Sequence, residues 1–503
     1  MTKVILNKFD GGLAETKYPV EKNVAAAMTH CDVYTDRRLL KNLRRNEKDT
    51  VSGGAHSGTE AVYCLDGARR SDGKIIGIGY TSSASTTARF LRKNNDDVTS
   101  YWVQSTVTCG NTPYLNGAIL YKDNVYCLSY SGTSQYLYRY DADATATSVV
   151  TSWTESNVGG YSNIIPKPIV HPLDNKLYIA MGKSIFVWDG SAGTITTASV
   201  TTPYQIVGLT YYGTYIAVAC VMGNGKSIVY MWGRDTTVTT FQDSSEFGDD
   251  KLCFIANLNG LLIGVSTRNT ATTYLDYKLK VRALIGREAV LVKEVDLPAL
   301  QSSITPYYTV WKDVIFFLNQ PQNTPYGYLF AIHKNKAGEI VLSQNRSSQY
   351  EGETSSYTSH FFNIHDYFFF ADYNNGKVIR TYSNNPLYNT TDSTYTFPIN
   401  AGIEYEDDRA RIKTIASVYV KAYANDAGYG TLKLEVSMDG GAYTTIFSET
   451  SPSGKNAYVV EALGDSVGDA LGEGRDIQFK LTFDQGIDVA EFGYEYETVG
   501  TTM

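Results

Sequence analysis

The six histidines, His30, His56, His171, His333, His360 and His365, are the first place to look for acid–base or metal chemistry in this 503-residue chain. None lies in the His-Glu-x-x-His pattern that sets two zinc ligands and a general base on one helix face. His360 and His365 stand five apart around Phe361-Phe362-Asn363-Ile364. On a strand that odd spacing sends the two rings to opposite faces, away from a shared ion. Gly223-Asn224-Gly225-Lys226-Ser227 ends like a phosphate-binding loop, but Cys220 occupies the position that must be glycine. A hairpin turn is expected there. Gly77-Ile78-Gly79 has Ser82 in place of the third glycine of the dinucleotide fingerprint, and no Gly-x-Ser-x-Gly elbow occurs.

Carboxylates crowd Glu404-Tyr405-Glu406-Asp407-Asp408 and the run from Glu491 to Glu497. A glycosidase pair has to face across a cleft, which sequence does not display, and a calcium site needs loop spacing that is missing here. Solvated faces are the expectation, with no metal and no cofactor. Ser437-Met438-Asp439-Gly440-Gly441-Ala442-Tyr443 partly resembles the Asp-box hairpin of sialidases, with Thr444 where an aromatic belongs. It occurs once, so it reads first as a tight Asp-Gly turn between strands. As a second reading, Ser437, Asp439 and Tyr443 form a glycan-contacting loop.

The elements that would carry these residues repeat. Turn pairs fall at Asp72-Gly73, Asp123-Asn124, Asp174-Asn175, Tyr212-Gly213, Asn259-Gly260, Lys312-Asp313 and His365-Asp366, in steps of 51, 51, 38, 47, 53 and 53 residues. A period near fifty with a central hairpin is the signature of a four-stranded propeller blade. Repeat 2 shows it well: Ala118-Ile119-Leu120-Tyr121, a turn, Val125-Tyr126-Cys127-Leu128, then Tyr136-Leu137-Tyr138-Arg139-Tyr140. Inner strands read as unbroken apolar runs because neighbouring blades cover both faces, and outer strands alternate. The expectation is an all-β chain in three parts. Residues 1–57 form an N-terminal extended arm with a small hairpin, in which Val24–Met28 reads as a helical turn. Residues 58–396 form a seven-bladed β-propeller. Residues 397–503 form a C-terminal β-sandwich, where Leu432, Leu434 and Val436 share one face, as do Ile477, Phe479, Leu481 and Phe483.

Composition narrows the partners. With 44 basic against 52 acidic side chains the net charge is −8, which disfavours a grip on nucleic acid but suits a surface past which it slides. Forty Tyr beside 13 Pro fit strand positions and wet contacts. The six cysteines, Cys31, Cys64, Cys109, Cys127, Cys220 and Cys253, show no metal spacing and read as buried free thiols. The opening Met1–Lys8 is too short an apolar run for a signal peptide, and no run has transmembrane length. Synthesis in a cytoplasm without classical export is expected.

Two stretches resemble virion proteins of tailed bacteriophages. Phe9-x-Gly11-Gly12-Leu13, then Ala27–Val33 and Leu39-Leu40 with basic neighbours, is similar to the opening of phage structural proteins that carry a propeller. Ser437-Met438-Asp439-Gly440 with Tyr443, then Gly474-Arg475-Asp476-Ile477-Gln478-Phe479-Lys480-Leu481, is similar to the closing sandwich of the tail nozzle (tail hub) proteins of short-tailed phages. The resemblance implies a non-enzymatic homo-oligomer, a ring of six below the portal and adaptor. That ring encloses the channel for genomic DNA, sits in the virion tail and is assembled in the host cytoplasm. Assembly contacts are then expected at Phe9, Leu13, Tyr18, Tyr34, Arg37 and Arg38. A tail-associated adhesin for a bacterial surface glycan and a propeller glycoside hydrolase are the alternatives.

Overall fold

The computed structural model describes residues 2–6, 27–29, 31–32, 40–42, 47–48, 65–80, 87–93, 103–108, 112–141, 146–154, 165–191, 195–248, 250–267, 278–296, 308–319, 328–335, 338–346, 358–364, 367–372, 377–381, 393–398, 412–424, 430–450, 457–463, 471, 473–484 and 487–499. Every regular element among them is a strand. The N-terminal stretch supplies five short ones: β1 (Thr2–Leu6), β2 (Ala27–Thr29), β3 (Cys31–Asp32), β4 (Leu40–Asn42) and β5 (Glu47–Lys48). The helical turn expected at Val24–Met28 therefore gives way, at Ala27 and Met28, to a strand stabilised by distant pairing rather than by local propensity.

Four-stranded antiparallel sheets follow in chain order, seven of them among the described residues. Sheet I is β6 (Leu65–Arg69), β7 (Ile75–Tyr80), β8 (Thr87–Lys93) and β9 (Val103–Thr108). Sheet II is β10 (Thr112–Tyr121), β11 (Asn124–Ser131), β12 (Ser134–Asp141) and β13 (Ala146–Thr154). Sheet III is β14 (Ile169–Val170), β15 (Leu177–Met181), β16 (Ser184–Trp188) and β17 (Thr196–Thr201). Sheet IV is β18 (Gln205–Tyr212), β19 (Tyr215–Val221), β20 (Ser227–Trp232) and β21 (Asp243–Glu246). Sheet V is β22 (Lys251–Leu258), β23 (Leu261–Thr267), β24 (Lys278–Ile285) and β25 (Glu288–Asp296). Sheet VI is β26 (Tyr308–Trp311), β27 (Val314–Asn319), β28 (Tyr328–Lys334) and β29 (Ile340–Arg346). Sheet VII takes β30 (Thr358–Ile364), β31 (Tyr367–Asp372) and β32 (Lys377–Thr381), and is completed by β5 from the start of the chain, with Ile379 opposite Lys48 and Arg380 opposite Glu47.

Why these runs are unbroken is visible in β15, where all five residues are buried. Leu177, Ile179 and Met181 join Ile119, Tyr126 and Leu128 of sheet II in one core. The alternate residues Tyr178 and Ala180 join Leu209, Ile216 and Trp232 of sheet IV in the next. A period of two thus feeds two different cores from one strand. Sheet IV repeats the device, with Ala217 and Ala219 turned toward Leu252, Ile255 and Leu262 of sheet V. Phe254 of β22 stacks on Tyr308 of β26 at 4.4 Å between centroids. First strands stay neighbours onward: β26 lies beside β30, β30 beside β6, and β6 beside β10. The arrangement is propeller-like.

The remaining strands are β33 (Ser393–Pro398), β34 (Ile412–Ala424), β35 (Thr431–Met438), β36 (Thr444–Thr450), β37 (Ala457–Leu463), β38 (Glu473–Gly474), β39 (Ile477–Phe483) and β40 (Ile487–Val499). One sheet runs β3-β4-β40-β34-β37, with β1 added on β40 and β38 on β34; the other runs β2-β33-β39-β35-β36. On β39 the alternation is complete: Ile477, Phe479, Leu481 and Phe483 are buried, and Phe479 lies edge-on to Phe492 of β40 at 5.1 Å. Leu432, Leu434 and Val436 are buried on β35 in the same way.

The compact units are not consecutive in sequence. One comprises residues 1–46, 328–348 and 384–503, and the other residues 47–327 and 349–383. Strands β1–β4 belong to the first and β5 to the second.

Candidate functional site

In each antiparallel four-stranded sheet the turn between its first and second strands and the turn between its third and fourth fall at the same end. That rim is where the polar side chains of the propeller-like unit meet. In sheet II the turn is Lys122-Asp123, one residue earlier than expected, with both residues left-handed at φ 47° and 61°. Asparagine or glycine adopts that conformation at less cost. The structure shows what Lys and Asp do instead. Asp123 accepts hydrogen bonds from the backbone N–H and hydroxyl of Ser71 in sheet I. Lys122 donates to the Asp189 carbonyl of sheet III at 2.8 Å, and the Tyr121 hydroxyl donates to the Asn175 carbonyl at 2.7 Å. Lys312-Asp313 of sheet VI repeats the left-handed pair, with the Lys312 ammonium 4.8 Å from the Trp311 ring centre, as Lys122 lies 5.1 Å from that of Tyr121.

The densest cluster joins sheets III and IV. Asp174, in the β14–β15 turn, accepts from the Tyr178 hydroxyl at 2.6 Å, from Arg234 Nη1 at 2.9 Å and from the Lys176 N–H at 3.2 Å. Burial alone would raise its carboxyl, but these hydrogen bonds and the guanidinium charge hold it below the usual range. Arg234, just past β20, is left-handed at φ 70° and also donates Nε–H to the Thr214 carbonyl at 2.7 Å. A non-glycine residue held there by two partners is a local store of strain. His171 is fully buried beneath this pair, edge-on to Tyr178 and Tyr211 at 6.5 and 6.1 Å. Its Nδ1 accepts the Leu173 N–H at 3.2 Å, and burial pushes the imidazole below its ordinary value, as does Arg234. Around the cluster Leu173, Tyr211 and Tyr215 stay exposed. Asn257 of sheet V reaches back to the Tyr211 carbonyl at 2.9 Å.

Elsewhere the polar groups also hold elements together. Asp250, buried between sheets IV and V, faces Lys280 at 2.7 Å, with Arg282 at 3.8 Å. His333 Nε2 and Ser343 Oγ lie 3.2 Å apart, a nucleophile–base distance, but both residues are wholly buried, so no external substrate reaches them. Gly223–Lys226 is a turn joining β19 to β20, closed by Gly225 N–H to the Met222 carbonyl. Cys127 and Cys220 carry buried thiols outside any disulfide, the latter pushed up to about 12 by burial, and Cys253 is half-buried. Among the described residues no three His, Cys, Asp or Glu side chains are grouped to hold a metal ion. No helix there is long and apolar enough to cross a membrane.

Phe9, Leu13, Tyr18, Tyr34, Arg37 and Arg38 lie outside the described residues, as do the side chains of His360 and His365 and the whole of Glu404–Asp408. Ser437, Asp439 and Tyr443 are described and lie at one end of β35. Asp439, left-handed at φ 48°, uses Oδ1 to accept the N–H groups of Arg475 and Asp476, both at 2.8 Å. Its own N–H donates to the Asp476 carbonyl at 2.6 Å. Ser437 Oγ donates to the Gly441 carbonyl, and the half-buried Tyr443 bonds Gln478 and lies under Lys480 at 4.5 Å. The hairpin is a lock between the β35–β36 turn and the β38–β39 loop.

The sequence missed the rim as a site. Its one available signal was Lys-Asp, twice after a buried aromatic, where turn chemistry favours Asn-Gly.

No known protein family and no curated protein matches the sequence. Solved structures of similar form include the N-terminal domain of Nup159, at 10% identity and a TM-score of 0.41 over 67% of this chain and 94% of that one. A computationally designed protein, Ika8, aligns at 11% identity and a TM-score of 0.36 over 67% of this chain and all of its own. Likeness at that level carries no functional argument.

Proposed function

We propose that this chain is a structural component of a bacteriophage tail, a nozzle or hub ring that lines or flanks the DNA channel, and that it is not an enzyme. In this reading the four-stranded sheets are the seven blades of a β-propeller, and the two larger sheets form a β-sandwich. The observation that supports it most is the use of the polar side chains. Ser71, Lys122, Asp123, Asp174, Arg234 and Asn257 are spent joining sheet to sheet, and the His333–Ser343 pair, at a nucleophile–base distance, is sealed. Such a body offers surfaces rather than chemistry. The second support is the resemblance carried by Phe9–Leu13 and by Ser437–Tyr443 with Gly474–Leu481. Its partners are then further copies of itself in a ring of six, a portal-adaptor or other tail protein, and genomic DNA that passes without specific binding. Electron microscopy of purified protein and of particles tests this. A closed ring present in virions is expected; a strictly monomeric protein absent from particles would refute it.

A second reading, a tail-associated adhesin for a bacterial surface glycan, draws on Leu173, Tyr211 and Tyr215, which leave apolar and aromatic surface exposed on one rim. Binding on a glycan array, lost in Tyr211→Ala, would favour it over the first.

A further inference from the structure

The rim between sheets III and IV combines features found together nowhere else among the described residues: a buried imidazole, a left-handed arginine and an ion pair bridging two sheets. His171 sits on the β14–β15 turn, its Nδ1 accepting the Leu173 N–H, so the neutral ring carries its proton on Nε2. That nitrogen is buried without a hydrogen-bond partner, and the backbone of Gly213 and Tyr215 on the β18–β19 hairpin, which favours the charged ring, is outweighed by burial and Arg234. The charged and titratable groups around it are Asp174 from its own turn, Tyr178 from β15, Tyr211 from β18 and Arg234 from the end of β20. A second proton has to enter at Nδ1, where the Leu173 N–H already points, so donor would meet donor. It would also set a buried cation beside the Arg234 guanidinium, with Asp174 already committed to Arg234 and Tyr178. The closed rim therefore excludes the proton, and an opened rim, in which water solvates the ring, accepts it.

We propose that His171 makes the sheet III–sheet IV rim an acid-sensitive latch: closed while the imidazole is neutral, and opened by protonation, with the 171–176 turn parting from the 211–215 hairpin and Arg234 released from its left-handed conformation. The device goes beyond the tail assignment and stands or falls separately from it.

Hydrogen–deuterium exchange on the full chain, corrected for intrinsic rates, tests it at pH 7.5 and pH 5.0. With an ordinary imidazole value of 6.5 in the open form, the opening constant of 171–176 and 211–215 rises on acidification by up to about 30-fold. The His171→Gln variant, which keeps a polar side chain and does not titrate, should lose that rise. Equal acid sensitivity in His171→Gln, or a wild type flat across the range, overturns the proposal. Should the variant not fold, an NMR titration of the histidine rings in the wild-type protein decides. A His171 ring that titrates at or above its ordinary value in the folded chain also overturns it.

Discussion

Replacing Asp174 with alanine removes the acceptor on which Tyr178, Arg234 and the Lys176 N–H converge. Tyr178 is wholly buried, so its hydroxyl is left unsatisfied at a cost of about 1–3 kcal/mol. The Arg234 side chain retains 19% exposure and partly rehydrates, so the lost ion pair belongs at the low end of a charged hydrogen bond, about 1.5 kcal/mol. Freed from Asp174, Arg234 can leave its left-handed conformation and recover about 1 kcal/mol. The net loss is about 1.5–3.5 kcal/mol. Arg234→Gly forfeits the same ion pair and the bond to Thr214, but glycine takes φ 70° freely, so its loss is smaller, about 1–2 kcal/mol. The double variant should show a coupling of about 1–2 kcal/mol. Trp232, buried edge-on to Tyr178 at 6.0 Å, reports the cluster by its emission during urea unfolding, with exchange of the 171–176 amides as a local check. A coupling below about 0.5 kcal/mol, or Arg234→Gly costing more than Asp174→Ala, would refute the account of Asp174 as the hub.

Three further perturbations probe the two units. Gly264→Ala places a methyl 2.6 Å from the Phe247 ring and 3.0 Å from Leu252, and should cost about 1–3 kcal/mol in urea unfolding, partly recovered by Phe247→Leu. Asp439→Ala strips the acceptor from the Arg475 and Asp476 N–H groups and should cost about 1–3 kcal/mol, whereas Asp439→Asn keeps an oxygen there and should cost less. Burial would raise Glu435, but Lys433 and Lys480 bond it and hold it below the ordinary carboxylate value. The unfolded chain then binds the proton more readily, so this stability is present above the ordinary value of 4.5 and is lost as pH falls through the lowered one. Glu435→Gln should flatten the fall in urea midpoint between pH 7 and about pH 3.

What could be read in advance was what repeats locally. The five buried residues of β15 and the alternation of β39 follow from burial on two faces or one, and a period of two records either without knowledge of the partner. The turn at Asp439-Gly440 was legible because a left-handed pair leaves its mark in residue type. Its service to Arg475 and Asp476, 36 and 37 residues on, left none. The same holds for β2 and β5. Strands of two or three residues are too short for periodicity, and their stability comes from partners hundreds of residues away. At the rim, Lys122 and Asp123 read as indifferent turn residues because their value lies wholly in the neighbouring sheets.

That distribution of information bears on how the chain behaves as a folded object. Sheet VII ends on Glu47-Lys48, which sit opposite Arg380 and Ile379, so its last two strands lie more than three hundred residues apart in the sequence. In the other unit β1 runs along β40, with Thr2 opposite Tyr496 and Leu6 opposite Phe492, joining the first residues to nearly the last. Loop closure over such lengths grows only logarithmically in cost, but it delays the final pairings until the intervening sheets are in place. A fragment beginning at residue 58, or one beginning at 397, therefore lacks strands that belong to its sheets and leaves the edges of β32 or β40 unpaired. Exposed edges of that kind recruit other chains. Any assignment of assembly to the N-terminal segment by truncation confounds lost contacts with new aggregation. Side-chain substitutions at Phe9, Leu13, Tyr18, Tyr34, Arg37 and Arg38, with β1 to β5 left intact, separate the two.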